Sequence, residues 1–204
     1  MGLPGMDEIE LRIREALDRG DHRQAATVAF EGYGPHLRAF VVGVLRSESD
    51  GAEAFSQVCE EIWKGLPGFR GQGSFRAWAY RIAWCGAIRW KSDPFRRRGR
   101  RLMTSEISGL VDTRSSRAPD ASARSSRAPA LEALRQALDP EEQALLTLRL
   151  DREMSWEEVA EVLAGEGRPA SAVALRKRFE RLKEKLARLA REYGLIGRST
   201  DTRR

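Results

Sequence analysis

Cysteine and histidine are almost missing from this chain: two of each stand among 204 residues. Cys59 and Cys85 share no Cys-x-x-Cys spacing, which excludes a disulfide scaffold and suits a reducing, cytoplasmic setting. His22 and His36 stand at no ligand spacing from the two cysteines or from each other, so no structural zinc site is expected. Long apolar runs are also lacking. Nothing approaches the roughly 18–20 consecutive apolar residues of a membrane-spanning helix, so no membrane insertion is expected. The opening MGLPGMDEIE has no basic patch followed by an apolar stretch, and no secretory leader is expected there. Catalytic signatures are missing too: there is no P-loop, GxGxxG, HExxH or GxSxG. Neither histidine has a nucleophile partner in sequence. The acid pairs Glu60-Glu61 and Glu157-Glu158 read as solvated helix faces. The expectation is a chain that is not an enzyme and needs no cofactor.

What remains is charged and helical. Lys and Arg number 36 against 30 Asp and Glu, a formal charge of +6, and hydrophobic residues make up 41%, enough to build a core. No alternating strand pattern of useful length occurs, so the expected class is all-α. Composition then divides the chain. Residues 102–130 hold seven Ser and two Pro, no aromatic residue, and the string SSRAP twice, at 115–119 and 125–129. Such a stretch cannot bury enough apolar surface to offset its ordering entropy, and it reads as a flexible linker between two small helical domains.

In the first part, Ile9, Ile13 and Leu17 recur at helical spacing until Gly20. Asp21 suits the N-cap of a helix through Ala25, Val28 and Ala29, and another helix is expected after Pro35, carrying Leu37, Phe40, Val41, Val44 and Leu45. A helix from about Gly51 to Leu66 ends at Pro67-Gly68. After the loop FRGQGS, Ser74 caps a helix from Phe75 to about Lys91. In the second part, Leu131, Leu134 and Leu138 come first. Asp139-Pro140-Glu141-Glu142 opens a helix whose apolar side is Leu145, Leu146, Leu148 and Leu150. Ser155 and Glu158 have capping-box spacing before Val159, Val162 and Leu163. A last helix carries one apolar stripe, Leu175, Phe179, Leu182, Leu186 and Leu189.

Two surfaces suggest nucleic acid. The last helix surrounds its stripe with Arg176, Lys177, Arg178, Arg181, Lys183, Lys185, Arg188 and Arg191, the pattern of a helix-turn-helix whose second helix enters a major groove. Residues 63–101 interleave Trp63, Trp78, Trp84, Trp90, Phe69, Phe75, Tyr80 and Phe95 with Arg70, Arg76, Arg81, Arg89, Lys91 and the run FRRRGRR at 95–101. Rings beside cations suit single strands, where bases stack and phosphates pair. Phe75, Trp78 and Ile82 also fit a plain core stripe. Tyr80 and Trp84 lie off it and are the expected stacking residues.

The ordered motifs resemble a known family. The segment Phe69-Arg70-Gly71-Gln72-Gly73-Ser74-Phe75-Arg76-Ala77-Trp78-Ala79-Tyr80-Arg81-Ile82-Ala83 is similar to the FRGxxSFRTWLYRIA stretch of bacterial sigma factors of the extracytoplasmic-function group. Leu138 to Gln143 resembles that group's L-P-x-E-x-R/Q opening, Ser155 to Ala160 its S-Y-E-E-I-A, and Leu175 to Leu186 its recognition helix. The resemblance implies an N-terminal helical extension over 1–28, a region 2 domain over 29–101, the linker, a region 4 helix-turn-helix over 131–194 and a tail over 195–204.

It also implies partners and roles. The expected partners are the RNA polymerase core, met at the β′ clamp helices, and promoter DNA; an anti-sigma factor stands open as a third. Arg70, Gly71, Gln72, Gly73, Ser74, Trp78, Tyr80, Arg81, Trp84 and Arg89 would hold the melted −10 strand. Ser171, Arg176, Lys177, Arg178 and Arg181 would read the −35 duplex. Glu53, Phe55, Gln57, Glu60 and Trp63 would meet polymerase. The chain departs from the family in three places: Glu53 to Cys59 has fewer acids than D-x-V-Q-E-x-F, Trp84 to Arg89 replaces R-N-x-x-x-D, and the turn 164–169 is longer. Two other readings remain. A stand-alone helix-turn-helix regulator would have no use for a strand-melting segment. A helical adaptor with basic faces would bind DNA without sequence preference.

Overall fold

The structure is a computed structural model that describes residues 6–94, 133–134, 136–164 and 171–195. The expected linker, the basic run at 95–101, most of the turn before the last helix and the tail beyond Leu195 lie outside the described residues. Every regular element among the described residues is helical.

Helix α1 (Met6–Asp18) buries Ile13 and Ala16 and ends at Gly20, whose φ of +72° no β-carbon favours. Asp21 then caps α2 by accepting the Gln24 amide at 2.9 Å. Here the structure corrects the sequence reading. The two helices expected on either side of Pro35 are one, α2, His22–Leu45, with Pro35 inside it. Proline in a helix interior removes a hydrogen bond and costs about 3 kcal/mol. Tyr33, Leu37, Phe40, Val41 and Val44 are all buried on this continuous helix. Each contributes roughly 1.5–3 kcal/mol, so together they outweigh the defect.

Helix α3 (Glu48–Gly65) is capped by Ser47, whose hydroxyl accepts the Asp50 amide at 3.2 Å. It crosses α2 at Gly51, where a β-carbon would lie 2.8 Å from the Val42 Cα. Only glycine lets the two backbones come so close. A short 3-10 turn, Leu66–Gly68, leads into the loop before α4 (Phe75–Ser92).

In the second half, Asp139 and Glu142 form a full capping box for α5 (Pro140–Leu146). The helix then widens into a π turn, Thr147–Asp151. Leu148 is buried there, but Leu150 is 57% exposed, contrary to its expected place on the apolar side. The i to i+5 geometry rotates it away from the core. Ser155 and Glu158 form the second capping box, opening α6 (Trp156–Leu163). Helix α7 (Ala172–Glu192) buries Leu175, Phe179 and Leu182. The described parts of the two halves share one apolar cluster: α4 lies against α6, and α2 against α5.

Candidate nucleic-acid interface

The loop before α4 is built by glycines at two left-handed positions, Gly71 at φ +69° and Gly73 at φ +90°. This backbone turns Arg70, Gly71, Gln72 and Gly73 outward, all exposed. Beneath them Phe69 anchors the loop, its ring 5.4 Å from Phe75 and 5.1 Å from Trp78. Ser74 closes the loop as the N-cap of α4, accepting the Ala77 amide at 3.1 Å.

A second cap comes from α1, one the sequence did not reveal. The Glu10 carboxylate accepts the Phe75 amide at 2.9 Å and the Arg76 amide at 2.7 Å. The Tyr33 hydroxyl donates to the same group at 3.0 Å. Burial raises the Tyr33 phenol far above its ordinary range, and the neighbouring Glu10 charge adds to the rise. An anion on free amides at a helix N-terminus is favoured by both hydrogen bonding and the helix dipole. The base of the loop is therefore fixed from two sides.

The expected stacking rings are elsewhere. Tyr80 is fully buried, edge-on to Phe40 at 5.2 Å, and Trp84 is 8% exposed. Neither can stack a base in this arrangement, which corrects the sequence expectation. The reason is coverage: α4 is packed by α2, α3 and α6, so its apolar surface is far broader than one stripe. Trp78 is half-buried among Phe69 and Phe75. Burial pushes the Tyr80 hydroxyl up to about 12, with Arg152 and Arg76 opposing. Arg81 and Arg89 remain exposed, and Arg89 donates to Glu61 at 2.5 Å.

Two rows of residues share the outer side of α3. Glu53, Gln57 and Glu60 form an exposed stripe, and Glu60 pairs with Lys64 at 2.6 Å. Phe55, Cys59 and Trp63, at i, i+4 and i+8, form a neighbouring row in which Trp63 is 49% exposed. Phe55 and Cys59 border a shallow hollow of about 450 Å³ with Phe30, Gly34, Pro35 and Arg38.

On α7, Ser171 is the exposed N-cap residue, and Arg176, Lys177 and Arg181 are exposed beyond it. Arg176 lies 5.9 Å from the Trp156 ring and 3.7 Å from Glu157, so α6 steadies it. Arg178 is different. It is half-buried, pairs with Glu141 and lies 3.8 Å from Asp139, so it ties α7 to α5 rather than pointing outward. Lys185 does likewise through Glu142 at 2.6 Å.

Sequence also gave no warning of a cluster between the halves. Glu158 on α6 accepts from Ser74 Oγ at 2.8 Å and from Arg76 Nη2 at 2.9 and 3.0 Å. Burial works to raise the Glu158 carboxyl, but Arg76, the Ser155 amide and Ser74 outweigh it and hold it below its ordinary range. Glu161, one turn on, is raised by burial, with Arg81 opposing. Among the described residues no group of His, Cys, Asp and Glu could hold a metal ion, and no helix is long and apolar enough to cross a membrane.

Residues 29–101 match the sequence profile of sigma-70 region 2. The fold is similar to that of the sigma factor RpoE from Bartonella quintana, solved in complex with the anti-sigma factor NepR. That likeness has a TM-score of 0.50 and 19% sequence identity, over 77% of this chain and 91% of the other. No curated protein sequence matches the chain.

Proposed function

We propose that this chain is a transcription-initiation factor of the sigma-70 family, whose region 2 residues 29–101 match, and that it serves as a compact, non-catalytic specificity subunit of the extracytoplasmic-function kind. The carrying observation is the doubly capped loop Arg70–Ser74, cationic and exposed from Arg70 to Gly73, within the segment that matches region 2. In this reading the loop holds a base unpaired from the −10 element, and Arg81 and Arg89 neutralise the strand beside it. Unpairing costs a few kcal/mol, which contacts to an extruded base and its phosphates can return. The family's aromatic stacking is replaced here by loop and cation contacts, because Tyr80 and Trp84 are core residues.

Residues 29–101 form the strand-holding domain of this proposal, and residues 131–194 the duplex-reading one. Ser171, Arg176, Lys177 and Arg181 read the −35 duplex. Arg178 positions α7. The row Phe55, Cys59 and Trp63, flanked by Glu53, Gln57 and Glu60, supplies the polymerase-facing surface: rings to bury and acids to steer toward a basic partner. A partner of the anti-sigma kind, as in the Bartonella complex, fits the same proposal, as does a cytoplasmic site of action.

The experiment is reconstitution: core polymerase plus this chain, with the starts of the transcripts sequenced. Initiation at a common promoter sequence, dependent on the chain, is expected. A chain that never associates with core enzyme overturns the proposal. Tight binding to a palindromic duplex without polymerase would instead favour a stand-alone regulator.

A further inference from the structure

We propose that the cleft where α2 meets α5 and its π turn binds a nucleoside diphosphate, with Arg46 and Arg152 holding the phosphates. The site is independent of the strand-binding reading, being built from other residues. It encloses about 540 Å³, within the roughly 300–1,000 Å³ in which small ligands are usually held.

Its positive charge is not answered by the protein. Arg76, Arg89 and Arg178 each face an acid, namely Glu158, Glu61 and Glu141. In the cleft, Arg38 pairs with Glu48. Arg46 and Arg152, one from each half, form no ion pair among the described residues, although Asp151 lines the same cleft. Arg46 donates through Nη1 to the Gln136 carbonyl at 3.0 Å. Arg152 Nε is buried without an acceptor. Burial holds His36 below its ordinary value, and the nearby Arg152 charge adds to that fall. A confined guanidinium without an acid is costly unless an anion meets it.

The backbone is unusual at both arginines. Arg46 is the C-cap of α2 at φ +56°, a left-handed position that glycine adopts freely and arginine does not. Arg152 directly follows the π turn Thr147–Asp151, a geometry that gathers at functional sites. Residues held in such sparsely populated conformations cluster at ligand clamps.

The remaining lining names the ligand class. Arginine forks match phosphate oxygens. Glu48 and Asp151 would repel a bare phosphate, but they can accept from sugar hydroxyls or the N–H groups of a base. Gln143 and Thr147, whose Nε2 and Oγ1 lie 3.4 Å apart, add an amide and a hydroxyl. Ala39, Phe40 and Val42 supply an apolar wall for a ring. A nucleotide sets its charged end against the arginines and its neutral half against the acids.

The test titrates the full-length chain with ADP, GDP, CDP and UDP by calorimetry, with unfolding temperature measured in parallel. The matching nucleosides, inorganic pyrophosphate and a single-stranded oligonucleotide serve as comparisons. At least one diphosphate should bind one site per chain and, at a hundred times its Kd, raise Tm by roughly 5–10 °C. Its nucleoside and pyrophosphate should each bind at least tenfold more weakly. Arg46→Gly relieves the left-handed backbone, so this variant should melt about as high as the parent yet lose tenfold or more in affinity. Arg152→Lys keeps the charge without the fork and should weaken binding as well. Absence of saturable binding at millimolar nucleotide overturns the proposal. So does full affinity in both variants, pyrophosphate binding as tightly as the nucleotide, or displacement of the nucleotide by the oligonucleotide.

Discussion

Replacing Glu10 with Gln isolates the contribution of α1 to the nucleic-acid surface. The carboxylate accepts two backbone amides, at 2.9 and 2.7 Å, and one phenol, at 3.0 Å. A hydrogen bond to a charged group is worth about 1.5–3 kcal/mol, against about 1 for a neutral one. The glutamine oxygen can still accept one donor, but its NH2 faces another. The charge–dipole term at the α4 N-terminus, about 0.3–1 kcal/mol, is lost outright. The expected loss is about 2–3 kcal/mol, which for a chain of this size lowers Tm by roughly 5–10 °C. Thermal and urea unfolding followed by circular dichroism would measure it, and open-complex formation with core polymerase should fall in parallel because the loop loses its anchor. A loss below about 0.5 kcal/mol, the range of an ordinary surface change, would refute the reasoning. It would mean that water satisfies those amides as well as Glu10 does.

Other outcomes follow from the same geometry. Trp84→Ala removes a core ring and should cost about 3–5 kcal/mol of stability; an unaltered unfolding curve would contradict its burial. Trp63→Ala should leave stability within about 0.5 kcal/mol yet weaken binding to core by more than 1 kcal/mol if the ring anchors that interface, as titration against labelled polymerase would show. Arg176→Ala should relax discrimination at the upstream element by about 1–3 kcal/mol per lost base contact. Arg178→Ala should mainly lower stability, so a specificity change there would show that its pairing with Glu141 yields to DNA. Acid should loosen the halves. The Glu158 carboxyl is held below its ordinary 4.5, so its contribution is complete at neutral pH and is lost as pH falls through that depressed value. Glu161 is held above 4.5, so its protonation comes first and relieves rather than weakens the contact. Solution scattering should find the compact form at pH 5 and expansion only once the pH falls below the ordinary carboxylate value of 4.5.

The helices were legible wherever a local signal existed. Asp21, Ser47, Ser74, Asp139 and Ser155 all sit at helix starts, and four of them also stood out as caps in the sequence, because a cap is a contact between residues three apart. Pro35 misled because its local penalty is visible in sequence while the tertiary burial that overrides it is not. Tyr80 and Trp84 misled for a related reason: the helical wheel shows one apolar stripe but not that three helices cover α4. Leu150 was lost to a π turn, for which the run TLRLD gives no sign. Glu10 and Glu158 could not have been found at all. Their partners lie 65 and 82 residues away in sequence, and an acid on a helix reads as solvated until its neighbour is known.

Glu158 carries a further property through its place in the Ser155 capping box. One of its oxygens takes the Ser155 amide at 2.9 Å, a contact made within its own helix start. Were the halves to separate, that oxygen would still have its donor and α6 would keep its first turn. Breaking the contact to Arg76 would therefore cost α6 little local order.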